Sequence, residues 1–225
     1  MSLRGLRPLD VQLAILGGRC PGSPSAIETA RRRLGLGEQQ VRSRWVDAAV
    51  VPVSLGTAVY RACRLTGEFT LRSGQVSNEY FDKYLFEGAP GLLRQVAEAM
   101  VPLLPECDVL AGMEMGGIPI VTVLSQLTGL RAVFVRKEPK GYGTRQVAEG
   151  GPVAGLRVVG VEDVVTTGGA LINGCKALRD GGAALDTVVC AIDREQGGRQ
   201  SLAAEGITLH AALSRADLVP GNNNA

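Results

Sequence analysis

The chain has 225 residues, of which 45% are apolar, and it carries 24 Lys plus Arg against 22 Asp plus Glu. That length predicts one domain with an appendage, and the apolar share excludes wholesale disorder. The near balance of charge leaves no global electrostatic footprint for nucleic acid or an anionic membrane, so neither is an expected partner.

The leader, residues 1–54, holds eight arginines against four acids and no lysine. It is read as an N-terminal extension of unassigned role. Arg31–Arg33 is either a solvated helix face or a partner patch. A secretory signal is not expected, because Asp10 separates Arg4 and Arg7 from the apolar Val11–Gly18 and no small-residue cleavage site follows.

From Leu55 onward the spacing predicts helices at Leu55–Leu65 and Arg94–Leu104. Buried strands then follow at Cys107–Ala111, Arg131–Val135, Arg157–Val161 and Leu185–Ile192. Helices at Ile118–Leu127 and Gly169–Arg179 separate them, the second stopped by Gly181-Gly182. This alternation implies a parallel sheet flanked by helices, an α/β fold whose ligands bind beyond the carboxyl ends of the strands. The uncharged run Met115–Leu130 is too short and too interrupted to span a bilayer. His210, in the apolar stretch Leu209–Leu213, is the only histidine, which excludes a multi-histidine metal site; it is read as a strand residue at the surface or in the core. Five cysteines without a C-x-x-C pair imply neither a disulfide framework nor a zinc knuckle, which suits a reducing cytosol.

Chemistry concentrates at the strand ends. After Arg157–Val161 come Glu162 and Asp163, then Val164, Val165, Thr166, Thr167, Gly168, Gly169 and Ala170 at a helix start. Hydroxyls, bare glycine N–H groups and a helix N-terminus form a phosphate cradle. Two adjacent carboxylates would repel a bare phosphate, so they fit the cis-diol of a ribose carried by the same ligand. An acidic strand end running into an ordinary turn is the plainer reading. Met115, Gly116 and Gly117 open a second helix, where backbone can approach an anion or merely turn tightly. Arg136, Lys137 and Lys140 begin Glu138–Gly151, too rich in glycine for helix or strand; it is a binding lid or a solvated basic loop. Six of the nine aromatics fall between Tyr60 and Phe86, around Arg72, Tyr80 and Phe81, and would suit a flat anionic heterocycle unless they simply pack in the core.

Together these segments resemble type I phosphoribosyltransferases, and E-D-V-V-T-T-G-G resembles their phosphoribosyl-pyrophosphate motif. G-E-F-T-L-R-S-G with S-N-E-Y-F-D, R-K-E-P-K-G-Y-G-T and D-R-E-Q-G-G narrow the resemblance to orotate phosphoribosyltransferases over roughly Leu55–Leu213. The resemblance implies a phosphoribosyltransferase domain at 55–225, with a small hood subdomain drawn from 55–90 and the C-terminal region. It implies a pentosyltransferase of pyrimidine synthesis that joins orotate to phosphoribosyl pyrophosphate (PRPP). Mg²⁺ would be held mainly through PRPP, without a dedicated protein cage. It further implies a cytoplasmic homodimer whose lid is shared between subunits.

Residue by residue, the resemblance gives Glu162 and Asp163 the ribose diol, Val164 to Ala170 the 5-phosphate and Met115 to Gly117 the pyrophosphate. Arg136, Lys137 and Lys140 match the catalytic loop, with Lys140 and Asp163 as catalytic residues. Arg72, Tyr80, Phe81, Thr166 and Arg194 match orotate contacts. Two positions depart from the commoner pattern: Arg72 stands where lysine is frequent, and Tyr142 where many members have histidine. An imidazole general acid at that point is thereby ruled out. A transferase for another base, or a PRPP-sensing regulator on the same fold, are the rival expectations.

Overall fold

Apolar runs rich in valine, isoleucine and alanine line up as neighbouring strands because each has two faces to cover. In the computed structural model, residues 54–70, 74–137 and 148–218 are described. Helix α1 (Leu55–Cys63) leads into a hairpin of β1 (Arg64–Thr70) and β2 (Val76–Phe81), followed by a single helical turn, α2 (Tyr84–Glu87), and by α3 (Pro90–Met100). Strands β3 (Val109–Met113), β4 (Arg131–Val135), β5 (Ala148–Glu149), β6 (Arg157–Val165), β7 (Ala184–Asp193) and β8 (Thr208–Ser214) form one sheet in the order β5-β4-β3-β6-β7-β8. All its pairs are parallel except the short β4–β5 edge. Between strands run α4 (Gly117–Thr128), α5 (Gly169–Asp180) and α6 (Gly198–Ala204).

The period of two sorts the strand side chains into two cores. Val109, Ala111, Val188 and Cys190 pack with Leu171, Cys175 and Leu178 of α5 and Leu202 of α6. Leu110, Val161, Val189 and Ala191 face the other way, onto Val59, Phe86, Val96, Ile120 and Leu124. Both faces are therefore covered, and the carboxyl ends of β3, β4, β6 and β7 are left for function. No described helix is long and apolar enough to cross a membrane.

Several expectations are corrected. Strand β6 continues to Val165, past the predicted Val161, because its ladder with β7 persists to the pair Val165–Asp193. Glu162 and Asp163 are thus strand residues. Strand β3 runs from Val109 to Met113 instead of Cys107 to Ala111, because its ladders with β4 and β6 begin at Val109 and the first continues to the pair Met113–Val135. Helix α1 stops at Cys63 because Arg64 and Leu65 pair with Phe81 and Tyr80. Helix α3 begins at Pro90, a favourable first-turn proline, and yields after Met100 to a 3₁₀ turn that contains Pro102. Glu138–Gly151 was expected to hold no strand, yet Ala148 and Glu149 pair with Val135 and Phe134. Arg131 holds that edge by donating to the carbonyls of Gly150 (3.1 Å) and Pro152 (2.6 Å). His210 lies exposed on β8.

Phe86 is fully buried and is the main apolar anchor of α2. Phe86→Ala is expected to cost about 3–5 kcal/mol of stability. The measurement is a urea titration, with a lower midpoint and an unchanged slope.

Candidate active site

Asp163 is the most enclosed charged group near the strand ends, with none of its surface exposed. Its Oδ1 accepts the Val164 N–H (2.5 Å), and its Oδ2 pairs with Lys83 Nζ (2.5 Å), which reaches across from the start of α2. Burial alone would raise the Asp163 carboxyl. The Glu162 side chain and the Lys83 ammonium outweigh it and hold Asp163 below the usual carboxylate range. Burial and the neighbouring Asp163 push Glu162 well above its usual value, so the adjacent pair divides into one ionised carboxylate and one weak acid.

Over this pair passes the turn from β3 to α4. Gly116 has an ordinary helical backbone, φ −70°. A Cβ there would overlap Asp163 Oδ2 and come within 2.8 Å of Glu87 Oε1. A Cβ at Gly117 would run into the Val161 carbonyl. These glycines are required by close approach, and Met115 beside them is exposed. At the end of β6, Thr166 and Thr167 are exposed, and Gly168 caps α5 with a left-handed φ of +82° and no side-chain cap bond. The first N–H groups of this 12-residue helix thus have no side-chain cap, and Gly169 and Ala170 in its first turn are exposed, as an anion site requires.

A cavity of about 610 Å³ adjoins the acidic pair, lined among others by Tyr60, Tyr80, Phe81, Lys83, Val164, Thr166, Arg194 and Arg215. The Arg194 guanidinium stands 5.3 Å from the Phe81 ring centroid, and its Nε is buried without a hydrogen-bond partner. Burial, and then the charge of Arg215, lower its ordinary value. A cation in that condition is one that an anion in the cavity would stabilise. On the β4 side, the Lys137 N–H donates to Glu114 Oε2 (2.9 Å), and Arg136 Nε is also buried without a partner. Arg72, Lys140 and Tyr142 lie outside the described residues.

This architecture has counterparts. A phosphoribosyl transferase domain model matches residues 88–211. The orotate phosphoribosyltransferase of Nocardioides sp. strain JS614 is 54% identical over 166 residues, covering 73% of this chain and 93% of the relative. That of Methanocella arvoryzae is 42% identical over 154 residues, covering 68% and 88%. The chain belongs to the orotate phosphoribosyltransferase family. Family members are pentosyltransferases, and this chain is an enzyme of that class. Among solved structures, the Mycobacterium tuberculosis orotate phosphoribosyltransferase in complex with PRPP superposes with a TM-score of 0.64 at 28% identity, over 74% of this chain and 97% of that one.

As an orotate phosphoribosyltransferase, the chain has site residues that motif reading passed over. Lys83 is the plainest. It is one of only four lysines and directly follows S-N-E-Y-F-D, so its rarity was a usable signal. Glu87, four residues on, had none. Arg215 reaches the cavity only because β8 lies beside β7.

Gly116→Ala is allowed by its backbone angles, so its effect must come from the collision with Asp163. PRPP binding, measured by titration calorimetry, is expected to weaken about tenfold or more (about 1.4 kcal/mol).

Proposed function

We propose that the chain transfers the 5-phosphoribosyl group of PRPP to orotate and releases pyrophosphate, a step of pyrimidine-nucleotide synthesis. The observation that carries this reading is one cavity lined by Tyr80, Phe81, Thr166 and Arg194, beside the Glu162–Asp163 pair. In it, Glu162 and Asp163 take the ribose diol, Val164 to Ala170 the 5-phosphate, and Met115, Gly116 and Gly117 the pyrophosphate. Orotate lies against Phe81 and Tyr80 with its carboxylate at Arg194, and Arg72 adds a cation beside it. Fixing sugar and base so that the ring nitrogen faces the anomeric carbon supplies the positioning part of the rate.

The hard oxygen donors of that ligand, and the carboxylates beside it, fit Mg²⁺. The ion would be held mainly through PRPP oxygens, without a dedicated protein cage. When bound it neutralises charge on the departing pyrophosphate. Arg136, Lys137 and Lys140 are assigned the same task from the protein side, where cations aimed at developing charge act most strongly. Orotate is already an anion, so the site needs little proton transfer. The reading places the enzyme in the cytoplasm as a homodimer with a shared lid, and treats residues 1–54 as accessory to the catalytic domain, 55–225.

The test is loss of orotate absorbance with PRPP and Mg²⁺, compared with uracil, hypoxanthine and guanine as acceptors. Turnover of orotate alone is expected; preference for a purine would overturn the reading. Lys140→Ala is expected to lower turnover roughly a hundredfold to a thousandfold while leaving PRPP binding largely intact. Mixing inactive Lys140→Ala with inactive Asp163→Asn subunits should restore activity through composite sites. Absence of recovery after verified subunit exchange would refute a lid acting across the dimer.

A further inference from the structure

Lys83 and Glu87 stand four residues apart on the single turn of α2, a spacing that places two side chains on one face. Both face Asp163. Lys83 pairs with its Oδ2. The Glu87 side chain is buried, and its Oε1 has no hydrogen-bond partner, as is also true of Asp163 Oδ2 apart from the ion pair. The two oxygens converge over Gly116, where only the missing Cβ makes room for them. Buried Glu87 and Asp163, with half-buried Glu162 beside them, thus gather around one cation among the described residues, Lys83. Buried carboxylate oxygens that meet cannot all be ionised. A single proton between Glu87 and Asp163 would satisfy both orphaned atoms.

We propose that Glu87 is a positioning residue of the ribose site, a neutral carboxylic acid whose O–H donates to the Asp163 carboxylate and holds it beneath the Met115–Gly117 turn. The inference rests on Asp163 as a contact of PRPP. Glu87 does not touch PRPP and transfers no proton; it keeps Asp163 aimed while Lys83 balances its charge. Burial, reinforced by Asp163, pushes the Glu87 carboxyl up to about 8, so the acid form prevails at neutral pH. The other groups facing it are Lys83, Asp82 and Cys63, with Glu162 beyond Asp163. Lys83 is raised from its already high usual value and the Cys63 thiol is raised to about 11, so neither titrates in the same range. Ionisation of Glu87 sets a second negative charge against Asp163 and should drive the two apart.

Two measurements test this. NMR titration of the assigned glutamate side-chain carbons in the unmodified protein should place the Glu87 midpoint near 8, and a Glu87 ionised throughout neutral pH would overturn the proposal. The KM for PRPP should rise about tenfold between pH 7 and roughly pH 9.5 with kcat changing less. In Glu87→Gln, whose amide still donates but cannot ionise, KM should stay flat over that range. In Glu87→Ala it should be raised at every pH. The same alkaline rise in Glu87→Gln as in the unmodified enzyme, or no rise in either, would refute the role. Asp163→Asn separates the two readings: an unchanged PRPP affinity there, measured by titration calorimetry, would sink the ribose contact itself, whatever the state of Glu87.

Discussion

A carboxylate with no exposed surface, near the end of a parallel strand, must be matched or neutralised. Asp163 is matched by Lys83, and that ion pair ties the turn α2 to the strand β6, two segments 80 residues apart in the chain. Much of the site follows from it. The pair can form only where α2 lies over the strand ends, and Phe86, fully buried in the core on that face, is what seats α2 there. The turn at Gly116 can pass over Asp163 only because it lacks a side chain. A carboxylate held this way has little freedom left to lose when a ligand arrives.

The rest of the site follows a division of labour between backbone and side chains. In the proposed reading, phosphate groups meet turns and a helix N-terminus, whose N–H groups carry partial positive charge without adding a full cation near the acids. The proposed heterocycle end is instead lined by side chains, with Phe81 and Tyr80 offering flat surfaces and Arg194 a fixed charge. Arg194 is left with an unpartnered Nε and a repelling neighbour in Arg215, which together favour an anionic occupant. In that reading the acidic pair lies between the two ends, where a ribose would link phosphate to base, and opposite polarities are kept apart along one ligand.

Beneath this, the frame is conventional for its composition. Both sheet faces are covered, and the buried cysteines Cys63, Cys107 and Cys175 have thiols raised by burial, so they act as small apolar residues. A charged cluster at the opposite, amino-terminal end of β6, where Arg157 meets Asp108 and Glu106, is largely exposed.

What the sequence by itself determined was local. Apolar runs of strand length alternating with helical spacing predicted the parallel sheet, and Arg131–Val135 matched to the residue. Motifs contiguous in the chain, such as Glu162–Ala170 and Met115–Gly117, were legible as candidate anion sites because glycines and hydroxyls act there through neighbouring backbone. The hairpin β1–β2 was missed because nearly all of its residues are exposed and show no alternation, and α6 because its seven residues are too few to display a helical period. Tertiary structure alone decided which charges meet. Lys83 and Glu87 reach Asp163 from a distant turn, and Arg215 joins Arg194 through the pairing of β7 with β8. Sequence spacing is blind to such encounters: charge pairing and desolvation depend on distance through space, and the packing of two cores sets that distance.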